Sequence, residues 1–208
     1  MEDILKDYSD ALEFVRTRAK SLRLDSSKMA LMGLSAGGHL ALLYAAYYSS
    51  KQTNVDAEER AARMKGIQTV VAFYSPSDLN DIFEKDNKSL FARFATITTL
   101  KGLPDNSNDV YRYYSPIYWV SHKMPPVFMA HGKEDDVVPF SSSVKLARKL
   151  KDCSVDYKFY VHKKGNHAFE FVLKDFQTIR ILESTINFLK SKLSDKENFK
   201  PDSENKGG

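Results

Sequence analysis

Along the first two dozen residues, apolar positions recur three and four apart: Ile4, Leu5, Tyr8, Ala11, Leu12, Val15, Ala19 and Leu22 stand among Asp, Glu, Lys and Arg. That period predicts an amphipathic helix. After the polar turn Asp25-Ser26-Ser27 the pattern changes to a compact apolar run, Met29-Ala30-Leu31-Met32, closed by Gly33. A short run without polar alternation reads as a strand buried on both faces. From 36 to 48 small and apolar residues stand on most sides of the helical period, as in a helix packed deep against a sheet. Residues 52–65 are polar and predict a loop with a surface helical turn, and 67–74 form a β-branched, aromatic second strand. Pro125-Pro126 introduces a third strand over 127–130, and 155–162 gives a fourth. Residues 141–151 fit a helix with an N-terminal serine cap. Residues 172–193 fit an amphipathic helix carrying Phe176, Ile179, Leu182, Ile186 and Leu189 on one face. The stretch 79–122, rich in aromatics, Asn and Pro, is expected to form short helices and loops, a lid or pocket wall.

Strand and helix alternate four times, which predicts an α/β fold with a mainly parallel sheet of about four strands. In such sheets the chemistry sits beyond the carboxyl ends of the strands. With 208 residues, one domain is expected over 1–193, and roughly 70% of the unfolded chain's surface can be buried. Residues 194–208 carry one Phe among Lys, Asp, Glu, Asn, Ser, Pro and Gly and are expected to be a disordered tail.

The 31 Lys and Arg against 27 Asp and Glu give a net charge of +4, but the two signs are interspersed, which argues against a nucleic-acid partner. No run of about 18 apolar residues exists, so no membrane-spanning helix is expected. Met1 to Asp7 show no basic segment followed by an apolar one, which favours a cytoplasmic location. Cys153 is the single cysteine; it excludes an internal disulfide and is expected to be inert near a helix end. Neither H-E-x-x-H nor a paired His and carboxylate spacing occurs, so no metal and no cofactor are expected.

The residues just beyond each strand carry the chemistry. After the first strand comes Gly33-Leu34-Ser35-Ala36-Gly37-Gly38-His39, the G-x-S-x-G pattern at a strand-to-helix junction. A sharp turn there aims the Ser35 hydroxyl out of the sheet and sets the Ala36 N–H and the helix's positive end where an oxyanion would form. Side chains at the flanking glycine positions are expected to collide with the neighbouring strand and helix. A serine hydroxyl is a poor nucleophile alone and needs a histidine base and an orienting acid, in the order Ser, acid, His. His131-Gly132-Lys133-Glu134-Asp135-Asp136 stands after the third strand, and Gly165-Asn166-His167 after the fourth. Ser35 is 100 residues before Asp135, which is 32 before His167, room for two strand–helix units and then one. Glu134, Asp135 and Asp136 all remain candidates for the acid. His39 and His131 are expected to be packing or hydrogen-bonding residues rather than bases.

These motifs, with Tyr74-Ser75-Pro76, Asp78-Leu79 and Ser115-Pro116-Ile117, resemble the α/β-hydrolase superfamily, in particular its small esterase and lipase branch of acetyl and carbohydrate esterases. The resemblance implies Ser35 as nucleophile, Asp135 as acid, His167 as base and Ala36 as an oxyanion donor. It implies hydrolysis of a small-molecule carboxylic ester through an acyl-enzyme, with a small acyl group and with acetylated or feruloylated carbohydrate among the candidate substrates. Phe91, Phe94, Tyr113, Tyr114 and Trp119 are candidates to line the acyl or alcohol site.

The chain departs from that family in one respect. Only one helix precedes the elbow strand, so the family's earlier strands, and the His-Gly-Gly type loop that supplies a second oxyanion donor, are expected to be missing. Met29-Ala30-Leu31-Met32 would then be a sheet edge without the charges or prolines that guard natural edges. Such an edge is expected to pair with a second copy of the chain or with an N-terminal half. Two other readings accompany the esterase: a catalytically impaired fragment or interaction module, and a peptidase of the prolyl-oligopeptidase type.

Overall fold

The computed structural model describes residues 1–194. Its centre is an all-parallel sheet of four strands in sequential order, β1 (Met29–Leu34), β2 (Ile67–Phe73), β3 (Val127–Gly132) and β4 (Tyr157–His162). Seven α-helices accompany it among the described residues: α1 (Glu2–Leu22), α2 (Ala36–Ser49), α3 (Ala57–Met64), α4 (Leu90–Leu100), α5 (Pro104–Tyr113), α6 (Phe140–Asp152) and α7 (Phe176–Leu193). The tail expected over 194–208 lies, from residue 195 on, outside the described residues.

The central strands β2 and β3 are apolar because both their faces are covered, whereas β1, expected to be buried on both faces, buries only Leu31 and leaves Met32 exposed, because β2 alone among the described strands flanks it. Successive side chains of a strand point to opposite faces. Thus Val70, Ala72, Val127 and Met129 pack with Ala41, Leu42 and Ala45 of α2 and Leu146 and Leu150 of α6, whereas Val71, Phe73, Phe128 and Ala130 pack against Ile181 and Phe188 of α7. Leu5, Tyr8 and Leu12 of α1 close the α2 side. Residues 79–122 hold α4, α5 and two short 3-10 turns, tied down by Leu43, Leu79, Leu100, Tyr111 and Tyr114.

Several boundaries differ from the sequence pattern for local reasons. The polar stretch before β2 contains α3, a full helix, because Asp56 accepts a hydrogen bond from the Glu59 N–H. Helix α6 begins at Phe140 behind Pro139, so Ser141 caps nothing and its hydroxyl lies 3.4 Å from Glu84 Oε2. Val155 is absent from β4; its N–H closes the end of α6 on Leu150 O at 2.9 Å. Residues 172–175 are not helical, since Asp175 caps α7 through the Thr178 N–H at 2.9 Å.

Among the described residues β1 hydrogen-bonds only β2 and is an edge of the sheet, with Met32 52% exposed. The opposite edge, β4, carries Lys158 on its exposed surface. None of the described helices is long and apolar enough to cross a membrane.

Candidate active site

Ser35 joins β1 to α2 with φ 50° and ψ −122°, a strained conformation for a residue with a side chain. Its N–H is held by Phe73 O at 2.9 Å, and its carbonyl accepts the His39 N–H at 2.9 Å. A Cβ on Gly33 would lie 2.2 Å from the Gly37 backbone, and one on Gly38 would lie 2.0 Å from Ser75 Oγ. Gly37 faces open space. The expected steric need for both glycines of the G-x-S-x-G pattern therefore holds at Gly33 but not at Gly37, and the neighbouring Gly38 is the second position that cannot carry a side chain. The Ala36 N–H opens α2, where the first amides lack intrahelical acceptors and carry the helix's partial positive charge.

The loops after β3 and β4 are stitched together. Lys133 N–H donates to His162 O, Glu134 N–H to Gly165 O, and Asn166 Oδ1 accepts from the Asp136 and His167 amides at 3.0 and 2.7 Å. A Cβ on Gly132 would strike Gly165 O at 2.1 Å, so this close approach requires glycine. The stitching brings Asp135 under His167: Nδ1 lies 2.9 Å from Oδ2 and 3.0 Å from Oδ1 of Asp135, and Nε2 lies 3.1 Å from Ser35 Oγ. Nδ1 faces a carboxylate and carries the proton, leaving Nε2 to accept the Ser35 hydroxyl. Glu134 and Asp136 are exposed, so Asp135 is the acid that meets the histidine.

The Asp135 carboxylate is wholly buried. Its Oδ1 also accepts the Val137 and Val138 amides at 2.9 and 2.8 Å, and His131 Nε2 stands 3.2 Å from Oδ2. That Nε2, 3.1 Å from Val138 O as well, faces two acceptors and must be protonated; Nδ1 pairs with Ser143 Oγ at 2.7 Å. Burial alone would raise the Asp135 pKa, but the bonds from His131, His167 and the Val138 amide outweigh it and hold the carboxyl well below the usual carboxylate range. The acid is therefore ionised at neutral pH.

Two residues without an assigned role in the sequence support the histidine. The Tyr74 ring meets the His167 imidazole edge-on at 4.5 Å between centroids, and its hydroxyl donates to Glu170 Oε1, on the turn after His167. Tyr74 is buried with φ 37°. A large aromatic closing a strand just before Ser-Pro is the one sequence signal of this role. The aromatic lining differs from expectation. Phe91 and Phe94 are 75% and 70% exposed, and Tyr113 packs with Tyr114, Trp119 and Tyr47 in a separate aromatic group. A cavity of about 160 Å³ does open beside Ala36, but its walls are Met1, Ile4, Leu40, Leu79, Ala95, Thr96, Thr99 and Leu100 with His39 and Pro76. Among the described residues no cluster of His, Cys, Asp and Glu is arranged to hold a metal ion.

The chain is similar to the endo-1,4-beta-xylanase B of Butyrivibrio fibrisolvens, 26% identical over 173 residues, covering 83% of this chain and 25% of that protein. It is similarly related to the esterase LipC of Mycobacterium tuberculosis (strain ATCC 25618 / H37Rv), 26% identical over 167 residues, 80% of this chain and 41% of LipC. The chain thus spans well under half the length of these curated relatives. Among solved structures, the acetyl ester-xyloside bifunctional hydrolase from Caldicellulosiruptor lactoaceticus superimposes with a TM-score of 0.71 at 24% identity over 90% of this chain and 65% of that one, a shared α/β-hydrolase fold. The BD-FAE family model matches residues 2–150, and the chain belongs to the BD-FAE family.

Proposed function

We propose that the chain is a serine-type carboxylic ester hydrolase working through an acyl-enzyme. The observation that carries this reading is the continuous hydrogen-bonded line Asp135–His167–Ser35 beyond the strand ends. His167 Nε2 takes the hydroxyl proton as Ser35 Oγ attacks the ester carbonyl, Asp135 fixes the tautomer and stabilises the imidazolium, and the Ala36 N–H receives the oxyanion. The proton returns to the departing alcohol, and water repeats the sequence on the acyl-enzyme. Small acyl groups on acetylated or feruloylated carbohydrate are the proposed substrates, supported by the xylan-related names of the similar proteins.

A second reading, an impaired hydrolase, is favoured by the open β1 edge beside an oxyanion side with one assigned donor; lacking one such donor typically costs about 10² to 10³ in rate. The test is p-nitrophenyl acetate hydrolysis by the chain and its Ser35→Ala variant, with fluorophosphonate labelling of both. Turnover and labelling that vanish in Ser35→Ala support the esterase, whereas labelling without turnover supports the impaired form. Cleavage of peptide amides without ester preference would favour a peptidase instead. We further propose that the β1 edge pairs with β1 of a second copy. Light scattering should then show a dimer with slowly exchanging Met29 to Met32 amides, and a monodisperse monomer with fast exchange would refute the pairing.

A further inference from the structure

The cavity of about 160 Å³ beside Ala36 sets a size limit on one side of the ester. Its apolar walls come from α1 (Ile4), α2 (Ala36 and Leu40), the turn after β2 (Leu79) and α4 (Ala95 and Leu100). Two of the polar side chains on the wall are turned to protein carbonyls: Thr96 Oγ1 donates to Ala92 O at 2.8 Å, and His39 Nδ1 lies 2.9 Å from Pro76 O. Among the described residues, none from the β3 or β4 loops, which carry Asp135 and His167, is on the wall. The four bonds of the tetrahedral carbon divide the site accordingly. Ser35 Oγ takes one, and the oxyanion beside the Ala36 N–H takes a second. The departing oxygen takes a third and must face His167 Nε2, 3.1 Å from Ser35 Oγ, to receive the proton. The fourth bond, to the acyl chain, is left with the Ala36 side, where the cavity lies.

We propose that this cavity is the acyl subsite, that it takes short alkyl chains, and that it excludes feruloyl groups. The limit comes from its volume, since a void of about 150 Å³ lined by apolar side chains accommodates benzene and little more. Acetyl and butyryl chains are smaller than that ring. A feruloyl group adds a propenoyl arm, a methoxy and a hydroxyl to such a ring, and it exceeds the space. The apolar wall favours alkyl groups, because each methylene taken from water into it strengthens binding. The inference rests on the esterase reading and narrows it: of acetylated and feruloylated carbohydrate, the acetylated form is the substrate.

The test is a series of p-nitrophenyl esters sharing one leaving group: acetate, butyrate, decanoate and ferulate, each measured with the chain and its Ser35→Ala variant. From acetate to butyrate kcat/KM should rise about fourfold per methylene, the worth of one buried CH₂, and it should fall at least about tenfold from butyrate to decanoate and to ferulate. Ala95→Leu fills the cavity from α4, so the ratio of butyrate to acetate turnover should drop to about one. Ile4→Ala enlarges it from α1 at a position 37% exposed, where the fold tolerates truncation, and should lessen the penalty on decanoate. Ser35-dependent turnover that favours ferulate or decanoate, or a chain-length profile unmoved by either variant, would overturn the acyl subsite and leave the esterase reading standing. Absence of Ser35-dependent turnover of every ester would overturn the esterase reading and the acyl role with it.

Discussion

On the base side of Ser35, the Asp135 carboxylate meets four donors, the Val137 and Val138 amides and the rings of His131 and His167, and all of them come from the β3 strand end and the β3 and β4 loops. On the nucleophile side, β1 has a strand on one flank only among the described residues, Met32 is half exposed, and the proposed oxyanion position is the first amide of α2. The same chain thus builds one half of the site as a closed, satisfied core and the other as an edge. Positioning in the first half depends on many redundant bonds. In the second it depends on backbone shape, held by two glycines and a strained serine.

The sharpest test of that contrast removes the charge on the satisfied side. In Asp135→Asn the amide cannot hold the Nδ1 tautomer of His167, and ester turnover should fall about 10⁴-fold, as when the acid of a comparable arrangement is neutralised. Stability should respond to pH with a defined sign. The folded-state pKa of Asp135 lies below its unfolded value of about 3.9, so its contribution is present above that pH and is lost as pH falls toward the folded value. The gap in unfolding free energy between wild type and Asp135→Asn should therefore shrink below about pH 4, measured by urea denaturation across the acid range. A gap independent of pH would show that the carboxylate is not held as described.

On the nucleophile side the corresponding test is steric. Gly33→Ala drives a Cβ into the Gly37 backbone and should displace the Ala36 amide, lowering turnover by about 10² or more, the scale of a lost oxyanion donor, and destabilising by roughly 1–3 kcal/mol. Gly37→Ala meets nothing within 4 Å and lies in α2, so it should leave labelling of Ser35 intact and stabilise by roughly 0.5–1 kcal/mol. Thermal midpoints with fluorophosphonate labelling separate the two. Equal damage from both variants would break the claim that shape at Gly33, not the motif as such, sets the elbow.

Much of this is legible in the chain because strand apolarity and strand-end chemistry are local signals. The run at Met29, the β-branched stretch from Ile67 and the Val127 run all fall on parallel strands, and Ser35, Asp135 and His167 meet beyond the strand ends. Choosing Asp135 over its acidic neighbours needs the structure, since it depends on which side chain the β3 loop turns inward. The roles at Tyr74, Glu170 and Ser143 are hidden for the same reason: each is defined by a partner 12 to 96 residues away, and no period or spacing encodes such a contact, whereas His131, expected as a packing or hydrogen-bonding residue, meets Asp135 only four residues on. The expected aromatic wall does not form because Phe91 and Phe94 are on the outer face of α4, which turns Ala95, Thr96 and Thr99 toward the cavity.

The smallest effect on rate should come from Tyr74, which touches the base side without donating to His167. Tyr74→Phe keeps the ring against the imidazole, so turnover should fall only severalfold. Stability is another matter, because Glu170 Oε2 already has no partner among the described residues and Oε1 would lose the Tyr74 hydroxyl. A hydrogen bond to a charged acceptor is worth about 1.5–3 kcal/mol, and for a domain of this size each kcal/mol moves the thermal midpoint by about 2–4 °C. Pairing the change with Glu170→Gln should recover part of that loss, since a neutral amide costs less to leave buried than a carboxylate. A large fall in rate with an unchanged midpoint would instead mean that the hydroxyl acts on His167 directly, and that the base side is less redundant than its hydrogen bonds suggest.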